Sequence, residues 1–175
     1  MSISEFIFKS SIDNFAPTKN AVLESINVGG RYSVTDSGQK ISNTDWHLPL
    51  THPKTYWEHV APKVMAHNQL LIDHFGFHNA EVTDFWFQQY ELGDYHGFHN
   101  HPGCCFSSVL YVELGDTTPR TTFVWAGSNF EVDVNEGDIV SFPSFLCHTS
   151  KINESARKTI ISFNSKVTVS CGVNV

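Results

Sequence analysis

VTDFWFQQYELGDYHGFHNHP, residues 82–102, is the stretch from which the rest of this chain is read. It opens as a strand, with Trp86, Gln88 and Tyr90 alternating onto one face, and ends in a loop that carries His96, His99 and His101. A His-x-His pair in extended chain sends both rings to the same side, and imidazole is the commonest metal ligand. A third ligand must come from elsewhere in the fold. FPSFLCH, residues 142–148, supplies His148 directly after GDIVSF, a strand that delivers the chain to a turn at Pro143. Three ligands with further positions open describe a catalytic metal rather than a closed structural one. His47, His52, His59, His67, His74 and His78 need no metal.

Outward from this stretch the strand pattern continues as CFSSVLYVEL, RTTFVWA, NFEVDV, DIVSFP, LCHTSKI and KTIISFNSKV, separated by Gly, Pro, Asp and Asn turns. Short strands at this spacing predict a mainly β protein, a double-stranded β-helix (a cupin-like jelly roll) with N-terminal helices packed on one sheet. Toward the N-terminus, Trp57, Val60, Val64, Leu71 and Phe75 fall near helical spacing. They predict a helix from His52 to Phe75, capped by Thr51 and kinked or split at Pro62. A shorter helix is expected over Thr18–Ile26, ending at Gly29 and Gly30, and the polar run Thr35–Asp45 reads as a loop. The chain is expected to be one domain, 1–175, with a helical buttress over 1–81, the catalytic core over 82–169 and a tail over 170–175.

Composition narrows the function. A formal charge of −7, from 11 Lys and Arg against 18 Asp and Glu, offers no broad basic surface and disfavours nucleic acid as a partner. No apolar run is long enough to span a bilayer, and the start MSISEFIFKS lacks the features of a signal peptide, so a cytoplasmic, membrane-free protein is expected. Cys104, Cys105, Cys147 and Cys171 show no paired CxxC spacing and fit reduced thiols. A ligand role for Cys147 conflicts with strand geometry, which turns it away from its neighbour His148.

These motifs resemble the iron(II) and 2-oxoglutarate dependent oxygenase superfamily, and more closely a bacterial and phage branch with HxHP where HxD is commoner. The likeness runs over Val82–Val167. VTDFWFQQYELGDYHGFHNHP is similar to the strand and metal loop of that branch, SSVLYV to its SGxYY strand, GDIVSFPSFLCH to its FPSxLxH segment and KTIISFN to its RxSxSFN ending. The resemblance implies that His99, His101 and His148 hold Fe(II). It implies a dioxygenase, an oxidoreductase, that consumes 2-oxoglutarate and dioxygen, releases succinate and CO2, and hydroxylates an unknown organic substrate, either a peptide or a small molecule. The small core is similar to that of protein prolyl hydroxylases.

His101 stands where the commoner pattern has a carboxylate, so three neutral ligands leave the full metal charge of the ion and favour an anionic cosubstrate. The same donor set is also a zinc hydrolytic arrangement. Asp94 is the fallback carboxylate, although a turn role after Gly93 suits it better. For the distal carboxylate of the cosubstrate two registers compete. One turns Lys158, Ile160, Ser162 and Asn164 inward, and alignment on Ser162, Phe163 and Asn164 favours it. The other turns Arg157 inward, with the advantage of a bidentate fork. By the resemblance, Tyr111 is a candidate to bond the cosubstrate carboxylate, Trp86, Gln88 and Tyr90 face the substrate, and His96 orients it. As structural alternatives, Tyr111 is a core aromatic, Gln88 an internal hydrogen bonder and His96 a surface group. Two other functions fit the residues: a three-His metal enzyme that does not use 2-oxoglutarate, and a noncatalytic jelly-roll binding module.

Overall fold

The computed structural model describes residues 3–30, 32–36, 38–49, 51–115, 120–154 and 156–169; the tail 170–175, with Cys171, lies outside them. A 3-10 turn at Ile3–Phe6 leads into β1 (Phe8–Ser11), helix α1 (Ala16–Gly29), strands β2 (Tyr32–Asp36) and β3 (Gln39–Thr44), and helix α2 (Tyr56–Phe75). Eight strands follow: β4 (Asn79–Tyr90), β5 (His96–His99), β6 (Phe106–Glu113), β7 (Thr121–Trp125), β8 (Ser128–Glu131), β9 (Asp138–Pro143), β10 (His148–Ser150) and β11 (Lys158–Thr168). With β1, β2 and β3 they form two antiparallel sheets of a jelly roll, ordered β1-β9-β6-β11-β4-β3-β2 and β5-β10-β7-β8.

Side-chain alternation on the large sheet divides the interior into two cores. Phe85 and Phe87 of β4, Leu110 and Val112 of β6, and Ile161 and Phe163 of β11 meet Val22, Ile26, Tyr56, Val60 and Val64 of the helices. Their neighbours Tyr90, Val109, Tyr111 and Ile160 point the other way, into a core between the sheets with Phe123, Phe142 and Leu146. Each fully buried Leu, Ile or Phe contributes about 1.5–3 kcal/mol. A one-residue slip of β11 would exchange the two faces and forfeit both cores, so its register is strongly set.

Several N-terminal expectations are corrected. Thr35–Asp45 is no loop: β2 and β3 pair as a hairpin, and β3 adds to β4 through Asn43 opposite Gln89 and Thr44 opposite Gln88. Asp45 then ties the following chain down, accepting from the Phe87 backbone N–H at 3.0 Å and the Tyr56 hydroxyl at 2.8 Å. The long helix begins at Tyr56, after Thr55 rather than Thr51, and runs through Pro62. Pro62 and Glu58 are both exposed, so water can take the carbonyl left without its usual donor, while buried Val60, Val64 and Leu71 hold the opposite face. The shorter helix extends beyond Thr18–Ile26 at both ends. The stretch read as NFEVDV is strand only over its first three residues, within β8 (Ser128–Glu131), and LCHTSKI only over His148–Ser150. Among the described residues, no helix is long and apolar enough to cross a membrane.

Gly137, at the entry to β9, locks the sheet to α1. Its φ is +89°, and a Cβ there would lie 2.9 Å from both Cβ and Cγ of Phe15. Gly93 has a similar φ of +85° with open space around it. Gly137→Ala should therefore cost about 3 kcal/mol, combining left-handed strain of about 1–2 kcal/mol with overpacking. Gly93→Ala should cost only the strain. Thermal melts of the two variants measure the difference, about 2–4 °C per kcal/mol for a chain of this size.

Candidate metal centre

Two strands and the loop after one of them bring three imidazoles together. His148 starts β10, the strand between β5 and β7, and its Cα partner across the ladder is His99 at the end of β5. His101 follows two residues later, its backbone N–H bonded to the Ser144 carbonyl at 2.9 Å. Each of the three rings offers a nitrogen, and these atoms lie within 4.8 Å of one another. Ring centroids are 4.2 Å apart for His99 and His148, and 5.2 Å apart for His101 and His148, which stack at 15°.

Neighbouring groups orient each ring. His99 Nδ1 donates to the Gly97 carbonyl at 2.8 Å and His148 Nδ1 to the Leu146 carbonyl at 3.0 Å. A carbonyl only accepts, so the proton sits on Nδ1 and the Nε2 lone pair is left for a metal. His101 is hydrogen bonded to Asn164, whose Oδ1 also accepts from Ser107 at 3.0 Å. Trp86 stacks on its ring at 5.7 Å and 14°. Burial, with His99 as the next cause, pushes the His148 pKa down to about 3 and that of His101 to about 4; burial also lowers His99. All three are neutral at physiological pH, as ligands must be. The donor set therefore fits a transition metal that takes imidazole.

A narrow inner cavity of about 30 Å³ runs from the three rings between the sheets, and Lys158 lines it. Lys158 is 1% exposed. Its Nζ donates to Ser150 Oγ at 2.9 Å and lies 5.0 Å from the centroid of the Tyr90 ring. Burial, and then Arg120, push its pKa down to about 7 against the opposing pull of Glu131. Arg157 points away and forks onto Glu113, with Nε to Oε2 at 2.8 Å and Nη2 to Oε1 at 3.2 Å. Of the two registers, the structure has the one that turns Lys158 inward. Ser162 and Tyr90 line this inner cavity as well.

An outer cavity of about 450 Å³ opens on the other side of the imidazoles, under the β2–β3 hairpin. Trp86, Gln88, His96 and Asn164 line both cavities. His96 stacks on His99 with centroids 3.8 Å apart at 17°, and its Nδ1 lies 3.4 Å from Gln88 Nε2. Tyr111 lines neither cavity: it is fully buried in the core, and its hydroxyl donates to Thr121 Oγ1 at 2.8 Å, so that Thr121 meets the inner cavity in its place. Asp94 is no ligand. Its carboxylate accepts from the Glu91 backbone N–H at 2.9 Å and pairs with Lys40 at 2.8 Å, bracing the turn before β5.

Ser150 was legible by alternation, two residues after His148 on the same strand, yet a lone Ser carries little signal. Nothing in the sequence pointed to Val34, Ile41 and Trp46 of the outer cavity, because the hairpin that brings them there pairs through backbone groups.

No protein-family model matches the chain, and no curated protein matches it. Solved structures do. A 2OG-Fe(II) oxygenase family protein from Burkholderia pseudomallei superposes with a TM-score of 0.69 at 11% identity, over 92% of this chain and 85% of that one. A prolyl-4-hydroxylase from Pseudomonas putida gives 0.68 at 13% identity, over 92% of each chain. The viral collagen prolyl hydroxylase of Paramecium Bursaria Chlorella virus-1, solved as a 2OG complex, gives 0.61 at 13% identity, over 94% of this chain and 97% of that one. Two antiparallel sheets, with helices on the outer face of the larger, are the jelly-roll fold that this chain shares with 2OG-Fe(II) oxygenases.

Proposed function

We propose that the protein is a nonhaem Fe(II) and 2-oxoglutarate dependent dioxygenase that hydroxylates an organic substrate. The observation that carries this is the buried Lys158, which shares the inner cavity with His99, His101 and His148. A buried ammonium beside the three imidazoles is a group that the distal carboxylate of 2-oxoglutarate can pair with. A zinc hydrolase or a binding module has no evident use for it.

The iron, when bound, supplies the oxidative chemistry in which 2-oxoglutarate becomes succinate and CO2. The protein's own residues position. His99, His101 and His148 hold the metal; Lys158 and Ser150 receive the distal carboxylate; Asn164 fixes the ring of His101, and Ser162 adds a polar wall. The Tyr90 ring steadies the ammonium from its apolar side. Gln88 and His96 form the boundary with the outer cavity, which takes the substrate and dioxygen. Free thiols at Cys104, Cys105 and Cys147 support a reducing, cytoplasmic setting.

The test is anaerobic titration of the Fe(II)-loaded protein with 2-oxoglutarate, followed by visible absorption. A charge-transfer band that saturates with 2-oxoglutarate and is lost in His99→Ala is expected. Iron bound without a band would favour a three-His enzyme that does not use 2-oxoglutarate.

A further inference from the structure

The outer cavity is apolar over much of its wall, where Val34, Ile41, Trp46, Trp86 and Pro102 line it. Into this wall β4 sets one carboxylate. Asp84 shares the inward face of the strand with Trp86 and Gln88, lies opposite Asn164 in the ladder, and is half-buried. Among the described residues, its carboxylate makes no hydrogen bond or ion pair within the chain, and no Lys or Arg lines the cavity. Other acidic groups near the site are used: Asp94 pairs with Lys40, and Asp45 with Lys54 and Tyr56.

Asp84 is the one Asp, Glu, Lys or Arg among the residues that line the cavity. Trp46 is 57% exposed, which leaves indole surface open to a cation. At about 450 Å³ the space suits a small molecule or one long side chain.

We propose that the outer cavity selects a substrate bearing an ammonium group on an aliphatic stem, as in a lysine-type side chain, with Asp84 as its counter-ion and Trp46 against its cationic end. The stem would lie along Val34, Ile41 and Pro102. This inference names the substrate class of the oxygenase proposed above and rests on that proposal.

Fe(II)-loaded protein, held anaerobic with 2-oxoglutarate, is titrated with N-acetyl-lysine N-methylamide and with its norleucine and glutamate counterparts, read by tryptophan fluorescence. The lysine probe should bind at least about tenfold tighter than the norleucine probe, the range of a charge-assisted contact. Asp84→Asn should erase that preference while leaving the 2-oxoglutarate band intact, and Trp46→Leu should weaken the lysine probe severalfold. Equal binding of lysine and norleucine probes, a preference that survives Asp84→Asn, or no lysine binding at millimolar concentration would overturn the assignment. Loss of the 2-oxoglutarate band in the unaltered protein would instead overturn the oxygenase proposal, whatever the probes do.

Discussion

His148→Ala should fold, and should lose its metal. His148 is 5% exposed, in the middle strand of the small sheet, but its backbone ladder to His99 and Phe123 does not depend on the imidazole. The substitution leaves the Leu146 carbonyl without its ring donor and opens space beside Phe142, whose ring centroid is 4.7 Å away. Together these should lower stability by about 2–4 kcal/mol, which cooler assay conditions tolerate. Metal affinity should fall far more. Changing a group that merely orients a ligand costs about 10–100-fold, so removing one of three ligands should exceed about 100-fold. Metal analysis after dialysis, beside a circular dichroism melt, checks both effects. His78→Ala, an exposed imidazole outside the cluster, should keep its metal and its melt. Metal retained by His148→Ala would sink the ligand assignment.

What was legible in the sequence follows the range of the physical signal. His99 and His101 share a face because strand periodicity is local, and KTIISFN announced a buried strand by composition. The choice between Lys158 and Arg157 was not local: it turns on which neighbours the helices cover, since Ile161 and Phe163 need the apolar faces of α1 and α2. The β2–β3 hairpin was hidden for a related reason. Most of its residues are polar, and it is held by a ladder to β4 and by Asp45 reaching Phe87 and Tyr56, contacts that span 42 and 11 residues. The outer cavity that the hairpin roofs was therefore invisible, including the tryptophan at its rim. Pro62 shows the converse, a strong local rule overridden where the lost bond faces water.

Lys158→Met should weaken 2-oxoglutarate by about 100-fold while iron stays bound. Methionine keeps the apolar stem between Tyr90 and Ile160 and deletes the ammonium alone, so the core remains filled. A charge-assisted contact in a buried cavity contributes about 1.5–3 kcal/mol, or about 10–100-fold, and here no second cation lines the inner cavity among the described residues. Arg157→Ala provides the contrast. Its fork onto Glu113 is partly exposed, 27% and 23% for the two side chains, and should contribute about 1 kcal/mol or less to stability and nothing to cosubstrate affinity. The pH dependence separates a charge effect from a packing effect. Burial holds the Lys158 pKa at about 7 in the cosubstrate-free protein, and a bound anion must raise it. Affinity for 2-oxoglutarate should therefore be constant below pH 7 and fall by up to about tenfold per unit above it, until the raised pKa of the complex is passed. In Lys158→Met the profile should be flat across the same window. Stability of the cosubstrate-free protein should move the other way: an unfolded lysine titrates near 10.4, so between pH 7 and about 10 only the unfolded chain holds the proton, and Lys158 contributes stability that grows as pH rises. Absorption titrations at four pH values on the two variants, with urea melts at the same values, test both signs. A wild-type affinity that does not decline above pH 7 would place the cosubstrate's charge on some group other than Lys158.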